Sequence, residues 1–156
     1  MQDPVLFTGT VRDNILCGRQ YADGQAAEIA ARIVQADEFI SRLPQGFETV
    51  LGSEGMMLSV GQRQLLSFAR ALVADPRLLI LDEATASVDS FTERDIQRGL
   101  KPLLQGRTCV LIAHRLATVR TADEILVLED GGLAERGTHD QLIRGGKLYK
   151  RFSDGA

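Results

Sequence analysis

The chain has 156 residues, of which 44% are hydrophobic and 25% charged, the composition of one soluble globular domain and not of a disordered, collagen-like or repeat polypeptide. Eighteen basic against twenty-one acidic side chains leave a formal charge of -3 with no long block of one sign, which argues against a nucleic-acid-coating surface or a polybasic membrane anchor. Cys17 and Cys109 stand far apart, so a disulfide framework is excluded and reduced thiols in a cytosolic setting are expected. No stretch approaches the roughly twenty apolar residues that span a bilayer, and no basic-then-apolar signal opens the chain. Met1 runs straight into Gln2-Asp3-Pro4-Val5-Leu6-Phe7, which reads as the middle of a folded unit.

The first third is polar with apolar residues at helical spacing. Ile29, Ile33 and Val34 predict one buried face of a helix over about 26–36, and Phe39, Ile40 and Leu43 a second short helix that stops before Pro44. Gly46 to Gly55, rich in turn formers, reads as loop. Ser59 and Gln62 stand three apart as a capping box before Leu65, Leu66, Phe68, Ala69 and Leu72, which predicts a helix to about Ala74. Asp75-Pro76 ends it, because the residue before proline is pushed out of the helical region.

Leu78-Leu79-Ile80-Leu81 is a short apolar run without alternation, the pattern of a strand buried on both faces of a parallel sheet. Ser90 and Glu93 form a second capping box, opening a helix through Ile96 and Leu100 that Pro102 should kink or close. Cys109 to Ala113 reads as the next doubly buried strand, ending at His114. Ile125 to Leu128 and Leu133 to Glu135 flank Asp130-Gly131-Gly132, a hairpin signal. Thr138 and Gln141 make a third capping box before a terminal helix, with His139 read as surface. Strands alternating with helices, with polar residues at the strand ends, describe an open α/β sheet whose ligand sits at those ends.

Three places have residue types suited to chemistry. Asp82-Glu83 ends an apolar strand, where the first carboxylate would hold a magnesium ion and the second would accept a proton from an attacking water. By spacing alone the pair reads equally as a strand ending in two solvated acids. His114, at the end of the neighbouring strand, would touch a phosphate oxygen or orient the same water, and equally reads as a polar strand terminus. Leu58-Ser59-Val60-Gly61-Gln62 puts a hydroxyl and unpaired N–H groups at a helix start, a ready anion site, with Gly61 allowing close approach. A capped helix start is common without any ligand.

Taken together these residues resemble the C-terminal two-thirds of the nucleotide-binding domain of an ABC transporter, from Gln2 to about Phe152. Leu58 to Gln62 is similar to the LSGGQ signature, Leu78 to Glu83 to the Walker B strand, Ser87-Val88-Asp89 to the D-loop, His114 to the switch histidine and Gln2 to the Q-loop glutamine. The resemblance implies an α/β fold of the partial P-loop NTPase kind: a Q-loop and helical signature subdomain over residues 1–75, then the C-terminal part of a RecA-like core over 76–156. It implies ATP and Mg²⁺ as cofactors. Glu83 would be the general base, Asp82 and Gln2 would serve the metal, and His114 would contact the γ-phosphate. Ser59, Val60, Gly61 and Gln62 would form the signature contact to ATP held by an opposite domain, with Asp89 along the dimer seam. Thr49 to Gly55 is similar to the loop that marks exporters and meets their intracellular helices, although Ser53-Glu54 replaces the usual acid-base pair.

The implied function is ATP hydrolysis coupled to export. The partners are a transmembrane domain and a second nucleotide-binding domain, as homodimer or heterodimer, with no nucleic acid, at the cytoplasmic face of the plasma membrane. Val60 stands where the family has glycine, and keeps its backbone N–H there. Within these residues there is no Gly-x-x-x-x-Gly-Lys-Ser/Thr loop, since Gly146-Lys147 is followed by Leu148. The alternative expectation is therefore a truncated, non-catalytic fragment that only supplies its signature to a partner's ATP. That reading also expects the apolar strands to lose neighbours and expose edges and faces.

Overall fold

A computed structural model describes residues 5–17, 19, 23–52, 58–82, 90–113 and 116–155, without the side chains of 90–93 and 117. The chain divides into two compact units, Met1–Leu79 with Thr85–Val110 and Ile80–Ala84 with Leu111–Ala156.

The first unit opens with strand β1 (Gly9–Thr10) and helix α1 (Val11–Leu16). Thr10 caps α1: its hydroxyl accepts from the Asp13 N–H at 3.0 Å, and its own N–H donates to Asp13 Oδ2 at 2.8 Å. Hydrogen bonding from the Thr10 N–H first, and then from the Thr10 side chain, holds the Asp13 carboxyl below the usual range. Helix α2 (Gly24–Ile33) follows, capped by Asp23, then α3 (Asp37–Ile40), a 3₁₀ turn at Gly46–Glu48 and strand β2 (Val50–Leu51). β2 pairs antiparallel with β1, Gly9 opposite Leu51 and Thr10 opposite Val50. The stretch expected to be loop from Gly46 therefore carries a 3₁₀ turn, held by local backbone bonds, and a strand whose partners lie some forty residues upstream. Residues 53–57 fall outside the described residues.

The face that α2 buries also differs from expectation. Of the expected face Val34 is inside but Ile29 is 52% and Ile33 45% exposed, and Ala27, Ala30 and Ala31 are buried instead. Both stripes have helical spacing. The alanine stripe is the one that lets α2 lie close to α4, because small side chains permit a short interaxial distance.

Helix α4 (Val60–Ala74) runs as expected and ends at Asp75, whose φ of 45° puts it in the left-handed region before Pro76. Strand β3 (Leu78–Asp82), helix α5 (Ser90–Leu104) and strand β4 (Thr108–Ile112) follow, with β3 and β4 forming a two-stranded sheet. Pro102 lies inside α5 and does not close it; two further residues remain helical, and Leu103 is fully buried. The proline removes the N–H that the Arg98 carbonyl would have accepted near the helix end. The side chains of the expected Ser90 and Glu93 box are among those not described.

Gly99 of α5 fills a notch no larger side chain fits: a Cβ there would stand 2.7 Å from Leu65 Cδ2 and 2.8 Å from the Val34 carbonyl oxygen. Arg107 ties together the ends of α4 and α5. Its Nη2 reaches Asp75 Oδ1 at 2.9 Å, and its Nη1 donates to the Leu103 and Gln105 carbonyls.

The expectation that β3 and β4 are buried on both faces does not hold. Leu79 is buried, but its alternating neighbours Leu78 and Ile80 are exposed, as are Val110 and Ile112 of β4. One face of each strand is covered and the other bare, as side-chain alternation dictates.

The second unit contains α6 (Leu116–Val119), β5 (Ile125–Glu129), β6 (Gly132–Gly137), α7 (His139–Gly145) and α8 (Leu148–Asp154). β5 and β6 form the expected antiparallel hairpin, with an irregularity at Val127/Leu128. Asp130 and Gly131 both have positive φ, 50° and 77°, the two-residue turn whose twist matches the strands. Ile125, Leu142 and Tyr149 make its core, with Leu116, Val119, Ala122, Val127 and Ile143 packed around them. Thr138 caps α7 with both bonds of the expected box. His139 is not a free surface residue: its Nδ1 lies 2.8 Å from the Tyr149 hydroxyl, and the rings meet edge to face.

Candidate functional site

The best-defined part of the site is the tip of α4. Ser59 is extended, and its Oγ accepts from the Gln62 N–H at 3.2 Å while Gln62 Oε1 accepts from the Ser59 N–H at 3.0 Å. Arg63 Nη1 donates to the Leu58 carbonyl at 2.7 Å, fixing the chain just before the helix. The box leaves as donors at the tip the hydroxyl proton of Ser59, the amide NH₂ of Gln62, and the N–H groups of Val60 and Gly61, which have no intrahelical acceptor at a helix start. Gly61 is buried, Val60 and Ser59 are exposed, and the first turn contains no acidic residue. Donors without an acid at the positive end of a fifteen-residue helix suit an anion. Val60 keeps its backbone N–H as a donor at this helix start.

Asp82 is the last residue of β3 and is exposed. An exposed carboxylate at a strand end suits a hard cation such as Mg²⁺, but it is one ligand. Among the described residues no group of three or more His, Cys, Asp or Glu could hold a metal ion. Gln2, Glu83, Asp89 and His114 lie outside the described residues, as do Ser87 and Val88 of the D-loop match.

The structure adds residues for which spacing offered no signal. Asn14 of α1 is buried and uses its whole side chain: Oδ1 accepts from the Phe7 N–H at 2.8 Å, and Nδ2 donates to the Phe7 and Thr10 carbonyls at 2.9 and 3.0 Å. Arg70 of α4 reaches across to it. Nε donates to the Asn14 carbonyl at 2.8 Å, Nη2 to Asn14 Oδ1 at 3.3 Å and Nη1 to the Val5 carbonyl at 3.1 Å, with the guanidinium 4.9 Å over the Phe7 ring. Burial lowers the Arg70 pKa, with the Cys17 sulfur pulling the other way. Arg12 is a second hub, bonded to Glu48 at 2.7 Å, to the Gly24 carbonyl at 2.7 Å and to Glu28 at 3.2 Å, and stacked on Phe47. The Thr10 and Asp13 spacing was the one local clue to α1; the arginine contacts have no local signature.

A phosphate-suited helix tip on a helical unit, with an acid-ended strand in an α/β arrangement, is what a nucleotide-binding P-loop NTPase domain contains. The solved structure of a bacterial Atm1-family ABC exporter with ATP bound has this fold: it is 42% identical with a TM-score of 0.86, covering 99% of this chain and 27% of that one. Residues 1–86 match the family model described as ABC transporter, and the chain belongs to that family. The ATP-binding protein YknV of Bacillus subtilis is 54% identical over 149 residues, 96% of this chain and 25% of its own length. The ATP-dependent lipid A-core flippase of Chromohalobacter salexigens is 51% identical over 142 residues, and the cyclolysin secretion/processing ATP-binding protein CyaB of Bordetella pertussis 48% over 152. The chain spans about a quarter of the length of these relatives.

Proposed function

We propose that these residues are the signature-bearing part of an ATP-binding and ATP-hydrolysing domain of an ABC exporter, in which hydrolysis drives a substrate across a membrane. The observation that carries this reading is the α4 tip, where a closed capping box leaves backbone and side-chain donors at a helix start whose first turn has no acid. Similarity to a flippase and to a secretion protein supports export as the direction.

In this reading Ser59, Val60, Gly61 and Gln62 clasp the γ-phosphate of ATP bound on a second nucleotide-binding domain, and Asp89 lies along the seam between the two. Asp82, with Gln2, holds Mg²⁺, which when bound neutralises charge on the phosphates. Glu83 accepts the proton of the attacking water on a carboxylate oxygen, and His114 hydrogen-bonds the terminal phosphate and keeps that water in line. The helical subdomain covers residues 1–75 and the RecA-like part 76–156. A transmembrane domain holds the assembly at the cytoplasmic face; among the described residues no helix is long and apolar enough to cross a membrane.

The test is ATP turnover by the full-length protein that carries these residues. Glu83→Gln should lower kcat by roughly 10²–10⁴-fold, the range for removing a general base, with nucleotide binding retained. Turnover unchanged by that substitution refutes the assignment. ATP turnover that is absent in the parent, while Ser59 is still required for a partner domain's activity, favours the rival reading of a non-catalytic module.

A further inference from the structure

We propose that Arg70 is a positioning residue that makes the segment following Gln2 and the signature helix respond as one body. This rests on the ATPase reading above and deepens it, by naming the joint between the metal-side glutamine and the phosphate-clasping tip. The segment Val5 to Thr10 begins three residues after Gln2 and is gripped from two sides. On one side Gly9 and Thr10 pair with Leu51 and Val50 of the exporter-like loop, and the Val11 N–H donates to the Thr49 carbonyl at 3.0 Å. On the other side Arg70 forks between the Val5 carbonyl and both oxygens of Asn14, while covering Phe7. Asn14 closes the joint with its own bonds to Phe7 and Thr10.

Among the described residues no carboxylate pairs with Arg70; amide oxygens and the Phe7 ring hold the cation. An apolar side chain there would spare the desolvation of a charge but leave the Asn14 carbonyl without this donor, at a cost in stability. What a planar fork supplies in addition is a fixed angle between two stretches of chain. Arg70 is eleven residues from Ser59 on one unbroken helix, about 16 Å along its axis. A shift of the Val5 to Thr10 segment is thus passed to the phosphate-facing tip by a rod. The exporter-like loop, paired to that same segment, feeds into the same lever.

The experiment compares the full-length parent, Arg70→Met, Arg70→Lys, Asn14→Leu and the Arg70→Met/Asn14→Leu pair in membranes, reading kcat per nucleotide-bound molecule and KM for ATP. Arg70→Met should lower kcat roughly 10- to 100-fold, the scale of a small misplacement of a distant tip, with little change in KM. Arg70→Lys should fall between it and the parent. The double variant should lose no more than the worse single one, because both break one joint. If Arg70→Met does not fold, Arg70→Lys carries the test with a several-fold loss. A parental kcat per nucleotide-bound molecule in whichever variant folds, or a loss expressed wholly as weaker nucleotide binding, overturns the proposal. Turnover that depends on Glu83 but not on Arg70 overturns the coupling alone; turnover indifferent to Glu83 overturns the ATPase reading and the coupling with it.

Discussion

Both oxygens of Glu135 on β6 face the start of α8: Oε1 accepts from the Lys147 and Leu148 N–H groups at 2.6 and 3.0 Å, and Oε2 from the Tyr149 N–H at 3.0 Å. The carboxylate thus caps a helix whose own N-cap residue, Lys147, has no side chain able to do so. The bond from Leu148 first, then those from Lys147 and Tyr149, lowers its pKa. A lowered folded-state pKa means stabilisation that is complete above the ordinary glutamate value of about 4.3 and fades as pH falls through the folded value. Glu135→Gln should therefore melt below the parent at pH 7, with the gap closing towards pH 3; thermal unfolding followed by circular dichroism at both pH values measures it. A gap that widens on acidification contradicts the cap. The contrast with Ser59 and Gln62 explains what could be read locally. Ser59 and Gln62 meet across one turn, so three-residue spacing revealed them. Glu135 and its amides, like Asn14 and Arg70, meet only because distant elements fold against each other.

At the scale of elements the same division holds. Helix starts with local caps at Ser59 and Thr138, the break at Asp75-Pro76 and the turn at Asp130-Gly131 are written in short stretches of sequence, and the structure has them where spacing put them. Faces are another matter. On α2 the isoleucines and the alanines both recur at helical spacing, and of the expected face Val34 is buried while Ile29 and Ile33 are not. Close packing against α4 selects the alanines. Ala31→Leu should thus destabilise by about 1–3 kcal/mol through overpacking, whereas Ile33→Gln should stay within about 0.5 kcal/mol; urea titration of the two variants separates them. Equal effects would mean that α2 has no preferred face. In β3 and β4 an all-apolar run suggested cover on both sides, yet alternate residues stand exposed, because composition records what a strand tolerates and not which neighbours are present.

For the whole molecule, membership of the ABC transporter family was legible from the order of short motifs, and the family match bears it out. The division into two compact units was not, since α5 groups with the first unit although it lies between two strands. Each unit has its own buried set. Leu66→Ala in α4 and Leu142→Ala in α7 should each cost about 2–5 kcal/mol, but hydrogen exchange should quicken over α1, α2 and α4 for the first and over β5 to α8 for the second. Uniform quickening from either substitution would show a single cooperative body. Within the first unit, Gly99 sits against Leu65 and the Val34 carbonyl like a key in its slot. Sliding α5 by a single residue would drive Arg98 or Leu100 into that carbonyl, and twisting it would do the same. Any larger group brought to that position must displace the Leu65 side chain of α4 or the backbone at Val34.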